Sequence, residues 1–229
     1  MTHVTGIACG SGVLSRGRFA GAAPEAHIIS LKILDRLGQG SSTAALMAFR
    51  WIMDNASKYN IKIINLSIGT NDQRIHTPLR EGVEQLWEKG FVVAAAAANP
   101  DGNSNFQPPP LLSPRIITVG AWEDRAYFQK KKSLRSALTA TMPDLWAKGE
   151  EVVSVLSPDF DFSLQNRDRG KITDAHYIRM SGASMATPAV SGMAALLLER
   201  YPTLSPDQVK ARLLADARGG LLTPEVMSF

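Results

Sequence analysis

The sequence contains a single cysteine, Cys9, in 229 residues. One cysteine excludes an intramolecular disulfide framework and a metal cluster held by several cysteines. Long apolar runs are also missing, because the longest strong run, from Phe91 to Ala98, is far shorter than the roughly 18 residues of a membrane span. We therefore expect no membrane partner, and the opening residues do not resemble a signal peptide.

A strong bias of charge is absent as well. The chain has 25 Lys and Arg against 21 Asp and Glu, a net charge of +4, and its isoelectric point is about 9.3. That balance is too weak to indicate nucleic-acid binding, so we expect no nucleic-acid partner. A hydrophobic content of 45% and a charged content of 20% exclude wholesale disorder. The length suits one large hydrophobic core, and we predict a single domain over residues 1–229.

Alternating strand and helix patterns predict the architecture. The apolar run from His27 to Leu34 predicts a buried strand, and the apolar spacing from Thr43 to Ala56 predicts a helix. Further strands are predicted at Ile61–Ser67, Phe91–Ala98, Ile116–Ala121 and Val152–Leu156, and further helices are predicted at Leu79–Trp87, at Ala189–Leu198 and after Ser205. Strand and helix in close succession imply right-handed crossovers and a parallel sheet that is covered on both faces.

Two segments have loop composition. Residues Asp101–Pro114 are rich in Asn, Pro and Gly, and the run Lys130–Lys132 lies in a stretch for which a solvated loop is favoured over a binding patch. Asp101, Asn103 and Asn105 resemble the start of a calcium loop, but Phe106 stands where such a loop needs glycine. We therefore assign no metal site.

A candidate reaction site lies where strands of the predicted sheet end. Ser184 precedes an apolar helix, whose first turn has free N–H groups that favour negative charge. Gly182 has no side chain that would obstruct access to Ser184. Asn99 follows a neighbouring predicted strand, and its side chain offers an N–H donor. A serine nucleophile and two oxyanion donors form the core of an acyl-transfer site. Periodicity alone favours a simpler alternative, in which Ser184 caps the helix and Asn99 occupies a turn.

Five motifs in order then resemble the subtilisin-like serine proteases, or subtilases. Residues Gly182–Pro188 look like the family's nucleophile motif Gly-Thr-Ser-Met-Ala-x-Pro, and Thr2–Gly6 resembles the end of its His-Gly-Thr-His-Val-x-Gly motif. The other matches are Gly21–Pro24 with Leu31–Asp35, Asn65–Gly69, and Pro143–Leu145 with Gly149. The resemblance implies an α/β fold, namely a three-layer α/β/α subtilisin-like domain with a mainly parallel sheet that is missing its first strand or strands.

The resemblance also implies a function and a set of site residues. Ser184 resembles the acylating nucleophile and Asn99 the oxyanion-hole asparagine of a serine endopeptidase, a hydrolase of polypeptide substrates. The residues expected to contact the substrate are Ser67, Ile68 and Gly69 as the strand that pairs with its backbone, Ala96, Ala97 and Ala98 as a wall of the specificity pocket, and Gly182. The chemistry requires no cofactor. Structural calcium is frequent in the family, but no ligand is identified, and the oligomeric state is left open.

The departures from the family pattern concern the base. The family's catalytic histidine would lie just before Met1, His3 matches the second and non-catalytic histidine, and the catalytic aspartate is absent. His27, His76 and His176 lie in no matching segment, and Ala98 replaces the glycine before the oxyanion asparagine. A serine hydroxyl without a base is a weak nucleophile. We therefore expect the chain to be inactive alone, as a fragment of a longer protease.

Alternatives of other classes remain. A pseudoprotease would bind peptides along Ser67–Gly69 without cleaving them. A nucleotide-binding domain would need a glycine-rich phosphate loop, for which Gly38-Gln39-Gly40 is too short. Residues Gly6–Gly12 and Tyr59–Ile61 resemble the intracellular alkaline-protease branch, which favours the cytoplasm, with secretion as the alternative.

Overall fold

Four parallel strands form the main sheet of the computed structural model, which describes residues 2–35, 38–69, 76–97, 113–126, 143–159, 172–217 and 220–223. The strands are β1 (Ile63–Leu66), β2 (Val92–Ala96), β3 (Ile117–Ala121) and β4 (Leu145–Ala147), in the order β1-β2-β3-β4. Every residue of β2 and β3 is buried, as expected for parallel strands that are covered on both faces. The predicted three-layer α/β/α fold is confirmed.

Five α-helices accompany the strands in the described residues, together with short 3-10 helices at Val13–Ser15 and Trp122–Asp124. They are α1 (Thr2–Cys9), α2 (Ser42–Tyr59), α3 (His76–Glu88), α4 (Ala183–Arg200) and α5 (Pro206–Asp216). Helix α4 contacts all four strands of the sheet and also α1, while α2 and α3 pack against each other. None of the described helices is long and apolar enough to span a membrane.

Local sequence signals place the helices accurately. The helix predicted after Ser205 is α5, and it begins with a capping box, in which Ser205 Oγ accepts from Gln208 N at 3.3 Å and Gln208 Oε1 accepts from Ser205 N at 2.9 Å. Gly90 follows α3 with a φ of +95°, the left-handed conformation that ends many helices. The predicted inward face of α3 is confirmed, since its four apolar members are buried, namely Leu79, Val83, Leu86 and Trp87.

The prediction of a buried strand at His27–Leu34 is wrong. The only strand-type contact of this segment in the described residues is an isolated bridge between Leu34 and Gly40. Ile28 and Ile29 are 47% and 42% exposed. An apolar run becomes a strand only where a neighbour supplies hydrogen bonds, and among the strands that the structure describes β1 pairs with β2 alone.

A second, antiparallel sheet contains one of the predicted strands. It consists of β5 (Val152–Val155), β6 (Ile172–Asp174) and β7 (Tyr177–Met180), in the order β5-β7-β6. Helix α1 packs on β5, and Ser154 Oγ donates to His3 O at 2.8 Å. The strand predicted at Val152–Leu156 therefore lies outside the parallel sheet, because its partner β7 runs in the opposite direction.

A lysine of α5 joins this helix to β3 and β4. Lys210 Nζ donates to Pro114 O at 2.8 Å, to Ile116 O at 2.6 Å and to Asp144 Oδ2 at 3.0 Å. The same carboxylate oxygen accepts from Thr118 N and Thr118 Oγ1. Asp144 is thus a structural residue, and it fixes the start of β4 beside β3.

Candidate active site

The proposed nucleophile lies in the first turn of α4. Gly182 precedes this helix with a φ of +135°, a conformation that other residues rarely adopt, and it provides no side-chain cap. In the described residues no hydrogen bond engages the N–H of Ser184. The N-terminus of α4 therefore carries a free donor beside the Ser184 hydroxyl, which is the arrangement that an oxyanion requires.

Two glycines hold the N-terminus of α4 against the end of β3. Gly182 N donates to Gly149 O at 2.7 Å. A Cβ atom at Gly149 would lie 2.4 Å from Ala121 Cβ and 2.9 Å from Gly182 O, so only glycine fits there. Gly149 N in turn donates to Glu123 Oε2 at 3.1 Å. The position of Ser184 therefore depends on backbone contacts that a single methyl group would disrupt.

Ser184 lies beside the predicted substrate strand. Its Oγ donates to Ser67 O at 3.3 Å. Ser67 and Ile68 are half-buried and Gly69 is exposed. The pairing of β1 with β2 ends at Leu66, and no backbone hydrogen bond among the described residues engages residues 67–69. Apart from Ser67 O, which accepts from Ser184 Oγ, the N–H and C=O groups of residues 67–69 are thus free to pair with an extended peptide.

The end of β2 lies next in the sheet. Ala96 and Ala97 are 6% and 4% exposed, and Ala97 N donates to Val119 O at 2.8 Å. Their role as a pocket wall stays a prediction. Ala98, Asn99, the calcium-like residues that begin at Asp101 and the Lys130–Lys132 run lie outside the described residues.

No described histidine or carboxylate hydrogen-bonds to Ser184 Oγ. His27 and His176 are exposed. His3 is buried in α1, with its Nε2 3.0 Å from Val152 O and 3.1 Å from Ile178 O. Burial lowers the pKa of His3, against the raising effect of these two carbonyls. In the described residues Ser184 therefore has a carbonyl acceptor and lacks a base.

Two polar residues near Ser67 were missed by sequence reasoning. Ser191 Oγ donates to Asn65 Oδ1 at 2.9 Å, and Asn65 Nδ2 donates to Ser67 Oγ at 3.0 Å. The available signal was the presence of Ser191 in an otherwise apolar stretch of helix. Within the described residues, no group of three or more His, Cys, Asp or Glu side chains could hold a metal ion.

Sequence comparisons identify relatives across almost the whole chain. Residues 2–226 match the profile of the Subtilase family, Peptidase_S8. Serine protease AprX of Bacillus subtilis (strain 168) is 33% identical over 93% of this chain and 51% of its own length. Subtilisin DY of Bacillus licheniformis is 30% identical over 94% of this chain and 69% of its own length. The chain thus spans about half the length of AprX, and the names of these relatives do not support the cytoplasmic prediction.

Solved structures share the fold. Sphericase superposes with a TM-score of 0.69 at 24% identity, over 94% of this chain and 68% of that one. A cold-adapted subtilisin-like serine proteinase gives a TM-score of 0.64 at 24% identity, over 94% of this chain and 67% of that one. At this level of identity, the two structures support the fold alone.

Proposed function

Because the chain belongs to the subtilase family, we propose that it serves in peptide-bond hydrolysis as a serine endopeptidase, with Ser184 as its nucleophile. The observation that carries the proposal is the contact between Ser184 Oγ and Ser67 O, 3.3 Å apart at the N-terminus of α4. This contact places a hydroxyl and a free helix N–H beside a segment that can pair with a peptide. Asn99 would be the second oxyanion donor.

The reaction would run through an acyl-enzyme. Ser184 Oγ attacks the carbonyl carbon of the scissile bond, its proton passes to a base, and the carbonyl electron pair moves to the oxygen. The N–H of Ser184 and the side chain of Asn99 stabilise that oxyanion. When the tetrahedral intermediate collapses, the C–N bond breaks and the amine leaves with the proton from the base. Water then releases the acyl group by the same steps.

The base is the missing component among the described residues. The Ser184 hydroxyl donates to a backbone carbonyl, which cannot accept a proton at neutral pH. We therefore expect slow acylation of the 229-residue chain on its own. Free imidazole in solution would supply the missing base and accelerate the reaction at Ser184.

A fluorophosphonate probe tests the proposal directly. The folded chain is treated with the probe with and without imidazole, and the labelled residue is located by mass spectrometry. We expect label on Ser184 that increases with imidazole and disappears in Ser184→Ala. Ser57→Ala, which removes an exposed serine of α2, is the matched control and should label normally. A folded chain that stays unlabelled at Ser184 in imidazole would reject the proposal.

A peptide-binding pseudoprotease is the second candidate. It is favoured by the carbonyl acceptor of the Ser184 hydroxyl and by the absence, among the described residues, of backbone–backbone hydrogen bonds at residues 67–69. This function requires the strand but not the nucleophile. Measurable affinity for an unfolded polypeptide such as labelled casein, equal in the chain and in Ser184→Ala and without labelling of Ser184, would support this candidate over the first.

A further inference from the structure

Ser67 is held by helix α4 rather than by the sheet. It lies one residue past the last β1–β2 pair. Its carbonyl accepts from Ser184 Oγ, and its hydroxyl accepts from Asn65 Nδ2. Asn65 Oδ1 in turn accepts a hydrogen bond from Ser191 Oγ. In the described residues these are the hydrogen bonds that fix Ser67, and they lead back to α4 at two points.

The spacing of the two serines on α4 matches the spacing of their two partners on the extended segment. Ser184 and Ser191 are seven residues apart, about two helical turns, so they lie on one face of α4. Asn65 and Ser67 are two residues apart, so they lie on one face of the extended segment. A shift of α4 along β1 by one residue would break both contacts. The two pairs together therefore fix where the nucleophile lies along the strand.

Without its contact to Asn65, an apolar residue would be favoured at the buried position of Ser191. It is 5% exposed, and a buried hydroxyl is unfavourable unless it is hydrogen-bonded. Its alternative acceptor is Thr187 O, one turn back in the same helix, at 3.3 Å, whereas Asn65 Oδ1 is at 2.9 Å. Alanine would pack in the same place without that requirement. The hydroxyl is thus directed mainly toward Asn65.

We propose that Asn65 and Ser191 are positioning residues, which set the Ser67–Gly69 segment at the distance from Ser184 that an extended peptide needs. Neither side chain touches the substrate; both act through Ser67. The inference rests on the proposed function, because it presupposes that a peptide pairs with this segment. It applies equally to cleavage and to binding without cleavage.

Three variants test the role of the contacts. Ser191→Ala removes the donor to Asn65, Asn65→Leu removes both amide contacts, and Ser67→Ala removes the hydroxyl but keeps the carbonyl. Each should weaken the binding of fluorescein-labelled casein about fivefold, the effect of one hydrogen bond. The double variant Ser191→Ala/Asn65→Leu should also lose about fivefold rather than the product of two losses, because both changes interrupt one chain of contacts.

A second readout separates positioning from stability. Imidazole-dependent labelling of Ser184 by the small fluorophosphonate does not use the strand, so it should stay within about twofold of the unmodified chain in Ser191→Ala and Asn65→Leu. Ser154→Ala is the matched control, since it removes a buried serine hydroxyl that, among the described residues, bonds only His3 O between α1 and β5. It should lower the melting temperature and leave casein affinity unchanged.

The outcomes are distinguishable. If the chain binds casein and the three variants bind it equally well, the positioning role is overturned while the proposed function stands. Parallel losses in affinity, labelling and melting temperature would also overturn the role, because they would show a structural effect. If the unmodified chain neither binds casein nor labels at Ser184, the proposed function fails, and this inference fails with it.

Discussion

Replacement of Gly149 by alanine should disturb the site through steric contact alone. The added Cβ would lie 2.4 Å from Ala121 Cβ and 2.9 Å from Gly182 O, whereas carbon atoms in contact normally lie about 3.5–4.0 Å apart. Ala121 Cβ is bonded directly to the backbone and Gly182 O is part of it, so no flexible side chain can move to relieve the contact. An overpacked site of this kind costs about 1–3 kcal/mol of unfolding free energy, which lowers the melting temperature of a chain of this size by roughly 2–12 °C.

The same change should slow acylation of Ser184. A shift of Gly182 would displace the first turn of α4, which carries the Ser184 hydroxyl and its free N–H. We expect the rate of imidazole-dependent fluorophosphonate labelling to fall by about tenfold. A misplacement of reacting groups by about 1 Å lowers a rate by about 100-fold, and the shift expected here is smaller.

Gly17, where an added Cβ would meet no neighbour but the backbone is left-handed, serves as the control. Gly17 has a φ of +85° and open space around its hypothetical Cβ, so Gly17→Ala pays only about 1 kcal/mol for its backbone conformation. Gly17→Ala should have a slightly lower melting temperature than the unmodified chain and the same extent of fluorophosphonate labelling at Ser184. If Gly149→Ala melts and labels like the unmodified chain, the steric reasoning is wrong.

Three further predictions concern stability. Lys210→Met removes the ammonium group that donates to two carbonyls and to the partly buried Asp144 carboxylate. The free energy of unfolding, measured in urea, should fall by about 2–3 kcal/mol. Arg50→Met, at an exposed ion pair, should lower it by less than about 0.5 kcal/mol. Burial lowers the pKa of His3, so protons bind the unfolded state more tightly; stability should fall as the pH drops from about 7.5 to about 5, and less steeply in His3→Gln. Ser205→Ala removes the acceptor for Gln208 N and should cost about 1 kcal/mol in the same unfolding assay.

Features that are encoded within a few residues were predictable. The capping box of α5 spans four residues, Ser205 to Gln208, and each interaction in it is local. The inward face of α3 follows from helical periodicity, and the place of Ser184 in the first turn of an apolar helix follows from a short motif. In these cases the sequence neighbours are also the structural neighbours.

Features that depend on distant partners were not predictable. His27–Leu34 has the composition of a strand, but strand formation depends on a neighbour elsewhere in the chain. The contact between Ser191 and Asn65 joins residues 126 positions apart, and Lys210 meets Asp144 across 66 positions. A polar residue in an apolar helix signals that a partner exists, but periodicity does not say which residue it is.

The placement of α4 has a consequence for the timing of assembly on the ribosome. This helix begins at Ala183, contacts all four strands of the main sheet, and brings Ser184 to a residue that was synthesised 117 positions earlier. Because chains emerge from the N-terminus onward, the face of the sheet that α4 covers stays open until this helix is made. Ser184 and Ser67 therefore meet only after α4 has been synthesised, and until then the emerging chain does not carry the assembled candidate site.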